Sequence, residues 1–88
     1  MKAVRYVVQC STKQNGNYIV NLLGECADKE EAVVVAIEHF GKKVWSDPDG
    51  WCRVVVVDLE AEEANRRPAL VLANPASAET AIDYPVVV

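Results

Sequence analysis

Apolar and polar positions alternate at the start of the chain. Val4, Tyr6, Val8 and Cys10 share one face and Ala3, Arg5, Val7 and Gln9 the other, which predicts a strand over residues 3–10. After "STKQNGN", in which Asn15-Gly16 can supply the positive φ angles of a tight turn, "YIVNLLGE" resumes β character, so the first two strands should form an antiparallel hairpin. The period then changes. Asp28 followed by Glu31 has an acidic version of capping-box spacing, and Gly41 is a suitable residue to follow a helix, which predicts a helix from Lys29 to Gly41. Val33, Ala36, Ile37 and Phe40 follow the i, i+3, i+4, i+7 pattern and should face the sheet, leaving Glu30, Glu31, Val34 and Glu38 outward. The valines at 33–35 lower helix propensity, but caps and spacing outweigh them.

The strongest strand signal is "WCRVVVVDL", β-branched and preceded by turn residues. Its four successive valines suit a strand covered on both faces, or a central strand with one face under the helix. Beyond this strand, "EAEEANRR" could form a short helix that Pro68 stops, and "ALVLA" reads as a fourth strand. "ASAETAI" could form one or two helical turns. The apolar "DYPVVV" should pair with a sheet edge, in this chain or in a second copy that makes a homodimer. The expected fold class is therefore α+β: a small antiparallel or mixed sheet with one main helix on one face. Residues 1–59 form a β-β-α-β core, and residues 60–88 an extension completing the sheet or a dimer, within a single domain spanning 1–88.

Composition agrees with a folded domain, at 51% hydrophobic and 25% charged over 88 residues. Cys10, Cys26 and Cys52 are odd in number and lack CxxC spacing, which favours reduced, buried thiols. Arg5 and Gln9 interrupt the first apolar stretch well short of an export signal, and no apolar run approaches the ~20 residues of a membrane span. A soluble, cytoplasmic protein is expected. Charge changes the picture more. Residues 25–63 hold eleven acids against four bases, within a total of −4. An acidic middle disfavours direct nucleic-acid binding, which depends on Lys and Arg neutralising phosphates, and favours a protein partner with a basic surface.

Site chemistry is sparse. Asp47 and Asp49 match positions one and three of a calcium loop and Asp58 position twelve, but Trp51, Cys52 and Val55 occupy positions five, six and nine, where a ligand, a glycine and a further ligand are needed. A Pro-Asp-Gly turn delivering Trp51 into a strand accounts for the same residues. His39, the one histidine, falls in the last turn of the predicted helix, where a protonated imidazole favours the helix dipole more readily than it serves a cysteine nucleophile. Ligand spacing for zinc is absent, and the four glycines are scattered at element ends rather than gathered in a phosphate loop. Trp45, Trp51 and the three tyrosines are expected to anchor core and turns. No catalytic residue, metal or other cofactor is implied.

What remains is surface. Glu30, Glu31, Glu38, Asp47, Asp49, Asp58, Glu60, Glu62 and Glu63 could form one negative face. The layout carried by "ADKEEAVVVAIEHFG" and "WCRVVVVDLEAEE", in a short acidic chain with one helix on a small sheet, resembles the small accessory proteins of phages and mobile elements of the anti-CRISPR type. That resemblance implies inhibition without catalysis, in the bacterial host cell. The acidic surface would occupy basic residues that a nucleic-acid-handling complex otherwise offers to DNA. The alternative is a structural or assembly protein that self-associates through its C-terminal strand.

Overall fold

In the computed structural model of the chain, residues 3–60 and 68–74 are described. Strand β1 (Tyr6–Gln14) turns into β2 (Asn17–Cys26), helix α1 (Lys29–Ser46) follows, and β3 (Cys52–Asp58) and β4 (Leu70–Ala73) complete a four-stranded sheet of order β2-β1-β3-β4. All three pairings are antiparallel, and α1 packs on one face of the sheet. This is the expected α+β arrangement, with "ALVLA" supplying the fourth strand. The readings made for residues 61–67 and 75–88, including "ASAETAI", "DYPVVV" and most of the short helix, lie outside the described residues.

The β1–β2 hairpin is set by Asn15 (φ 52°) and Gly16 (φ 82°), consecutive left-handed residues that match the right-handed twist of the strands they join. The first strand continues four residues beyond its predicted end at Cys10, because Ser11 to Gln14 pair with Val20 to Asn17. Between Val8 and Gln9 the register slips by one, leaving Leu23 as the extra residue of a bulge in β2; it still packs against the core.

The core lies between sheet and helix: Tyr6, Val8 and Cys10 of β1, Cys26 of β2, Cys52, Val54 and Val56 of β3, and Ala32 and Ala36 of α1. Val4, expected on the same face as Tyr6, is instead exposed ahead of the strand. On the opposite face Val7, Gln9, Ser11, Arg53, Val55 and Val57 are also buried, so β3 is covered on both sides, as its valine run suggested.

Two helix expectations are corrected. Gly41 does not end α1, which runs on to Ser46 and stops at Asp47, where the following Pro48 disfavours helical backbone. The buried stripe is also rotated: Ala32 and Ala36 are its centre, flanked by Val35 and Phe40, while Ile37 faces solvent. Two alanines let the helix approach the sheet more closely than larger side chains would permit. Asp28 does stand at the N-cap with extended backbone, but its side chain makes no capping hydrogen bond. Glu30 and Glu31 in the first turn and Lys43 in the last complement the helix dipole.

Candidate functional site

Residues 47–50 form a turn. Gly50 N–H donates to the Asp47 carbonyl at 3.1 Å, and a Cβ at position 50 would displace the Asp47 carboxylate that lies over it. The amide of buried Asn74 donates to the Gly50 carbonyl, tying the end of β4 to this turn. Asp58 lies at the far end of β3, six residues and about 20 Å of strand from Cys52. The three aspartates that imitate a calcium loop are therefore dispersed by an intervening strand.

The acids expected to share a face divide into groups. Glu30, Glu31 and Glu38 are all exposed on α1, and no ion pair among the described residues involves them. Asp47 and Asp49 lie beyond the C-terminal end of the helix, about 26 Å along its axis from Glu30. Asp58 and Glu60 sit at the opposite end of the sheet and are not free. Arg5 Nε lies 3.2 Å from both Asp58 Oδ1 and Glu60 Oε2, and Nη2 donates to Asp58 Oδ2 at 3.3 Å. This hydrogen-bonded pair raises the Arg5 pKa and holds the Asp58 carboxyl below its usual range, with the Glu60 backbone N–H assisting the latter. Glu62 and Glu63 lie outside the described residues. The single negative face expected from sequence thus reduces to a row along α1 with an acidic turn at its end.

Extending the helix also moves two residues expected elsewhere. His39 is an exposed mid-helix residue, seven positions before Ser46, and so is removed from the dipole end proposed for it. Trp45 is 89% exposed rather than an anchor. Trp51 does serve as one: it packs edge-on against Tyr18 at 4.9 Å between ring centroids, and Lys13 Nζ lies over the Tyr18 ring at 5.5 Å. A cleft of about 150 Å³ lies beside this cluster, bordered by Lys13, Lys43, Asp47 and Cys52.

The free, buried cysteines include a pair that the sequence did not announce. Cys10 stands opposite Val54 and Cys52 opposite Thr12, which makes the two thiols diagonal neighbours on the helix-facing side of β1 and β3. The Cys52 thiol donates to the Cys10 sulfur and lowers the Cys10 pKa to about 7 against the cost of burial, with Lys43 assisting. Cys52, which keeps its proton, is pushed up by the same hydrogen bond and by burial. Burial and the nearby Glu31 and Asp28 carboxylates raise Cys26.

A folded-state pKa below the ordinary thiol value means that Cys10 adds stability as pH rises from about 7 toward the ordinary range, and that this contribution is lost as pH falls through about 7. In Cys52→Ala the donor is gone and the Cys10 titration should move upward, leaving no thiolate absorbance near pH 7. An ultraviolet titration in which wild type and variant ionise together would show that the thiol contact does not govern Cys10.

No family model, curated protein or solved structure matches this chain.

Proposed function

We propose that the protein is a non-enzymatic inhibitor of the anti-CRISPR type, which binds the basic surface of a nucleic-acid-handling complex and so competes with nucleic acid. The observation that carries this reading is the row of Glu30, Glu31 and Glu38 along one exposed helix, without cationic partners among the described residues. Elsewhere the fold neutralises acids, as Arg5 does with Asp58 and Glu60. Among the described residues, Lys42 stands one turn after Glu38 without an ion pair between them, and a cationic partner would supply the contacts that the row lacks. Asp47 and Asp49 add negative charge beyond the helix end, where Lys42 and Lys43 offset it, so the acidic part of α1 is the stretch from Glu30 to Glu38. Lysines and arginines engaged there can no longer neutralise phosphates, which is how inhibition follows from binding.

The test is retention of partners from a bacterial lysate by the tagged protein, with washes at increasing salt. Wild type should hold a nucleic-acid-handling complex at low salt and release it at high salt. Glu30→Lys/Glu31→Lys/Glu38→Lys should lose that complex while keeping an unchanged circular-dichroism spectrum. Equal retention by wild type and the triple variant would overturn the acidic-row reading.

A further inference from the structure

The outward side of α1 is not purely polar. At 100° per residue, the direction opposite buried Ala32 and Ala36 and partly buried Phe40 is occupied by Val34, Gly41 and Trp45, with Glu38 on one side of them and Ile37 on the other. Val34, Ile37 and Trp45 are 54%, 55% and 89% exposed, and nothing lies within 4 Å of where a Gly41 Cβ would stand. The result is an apolar seam three turns long, about 16 Å, with an open notch between Ile37 and Trp45. Single exposed apolar residues are ordinary, but a contiguous stripe ending in a nearly bare tryptophan is the composition of a binding hot spot. Glu30, Glu31 and Glu38 flank this seam.

We infer that the seam is the docking site for a basic amphipathic helix of the partner protein, with apolar residues at i, i+4 and i+11 laid along Val34, Ile37 and Trp45, and Lys or Arg beside them facing Glu30, Glu31 and Glu38. Charge selects this occupant over its rivals. A second copy docked parallel sets each glutamate against its own counterpart; docked antiparallel about the helix centre, it brings Lys42 and Lys43 near Glu31 but still sets Glu38 against its own counterpart. Both orientations also bring together two chains of net charge −4. Anionic lipid and nucleic acid are repelled by the same row. A cationic amphipathic helix satisfies seam and flanks together, by helix-face recognition with spaced apolar anchors. The inference rests on the acidic-row reading and adds to it that recognition is apolar as well as electrostatic.

The probe is a synthetic helix-forming peptide of leucine and lysine about five turns long, its leucines spaced for one face. A peptide of the same composition with the leucines scattered keeps the charge and loses the face. The face-bearing peptide should bind at least tenfold tighter and shift the amide resonances of Val34, Ile37 and Trp45. Trp45→Ala should weaken it about tenfold without changing the thermal midpoint. Equal affinity for the two peptides would overturn helix docking while leaving the acidic-row reading intact, and binding of neither would also overturn it; the lysate experiment judges the acidic row separately. Sedimentation showing a dimer of the chain alone that Trp45→Ala dissociates would assign the seam to a second copy and overturn the proposal.

Discussion

Val54→Asp is expected to unfold the protein at neutral pH. Val54 is 0% exposed, paired with Cys10 of β1 on one side and Leu72 of β4 on the other, and enclosed by α1 above. A carboxylate there leaves water for a space lined by valine, alanine and thiol groups. An uncompensated buried charge costs more than about 4 kcal/mol, and at ~0.05–0.15 kcal/mol per residue the stability of a domain this size is about 4–13 kcal/mol. The substitution therefore consumes most or all of what holds the fold. Acidification should soften the effect, because burial raises the new carboxyl's pKa and protonation removes the charge. The paired control is Val71→Asp on β4, where the side chain is 42% exposed and the expected change is within about 0.5 kcal/mol. Urea denaturation followed by circular dichroism separates the two; equal loss in both variants would show that Val54 and Val71 are not distinguished as inner and outer positions.

The contrast between these valines indicates how much of the fold could be read in advance. The Asn15-Gly16 turn was legible because two consecutive positive-φ residues suit few other structures, and β3 because nine residues of β-rich sequence follow a turn. The end of α1 was not. Glycine in a helix interior costs only about 1 kcal/mol relative to alanine, and Lys42 to Trp45 provide enough helix-forming and packing character to absorb it. Of the candidate site, the outward placement of Glu30, Glu31 and Glu38 was legible from helical spacing alone. The capture of Asp58 and Glu60 by Arg5 was not, since Arg5 and Asp58 are 53 positions apart and meet only through the β1–β3 register. The seam was hidden by the misplaced helix end: once the helix passes Gly41, Trp45 falls eleven residues after Val34 and shares its face.

Ile37 and Ala36 supply the second large effect, because the periodic pattern alone assigns both to the core and the structure separates them. Residues 32–37 are six successive apolar positions, which fix no helical phase by themselves, and a pattern that weighs size favours burying isoleucine. Ala32 and Ala36 are instead 0% exposed against the sheet, beneath a helix held close by their small volume. Ala36→Leu inserts three heavy atoms where Val8, Val54 and Val56 already form a packed surface, and should cost about 1–3 kcal/mol through displaced side chains and a lifted helix. Ile37→Asp introduces a charge at a position 55% exposed and should leave the urea midpoint nearly unchanged. If the phase expected from sequence held instead, Ile37→Asp would bury a carboxylate and be the more damaging of the two. The same substitution reaches function: a folded Ile37→Asp protein has lost the middle of its apolar seam while gaining negative charge. Retained binding to scattered-leucine peptide with reduced binding to the face-bearing one would then locate the apolar part of recognition at this turn of α1.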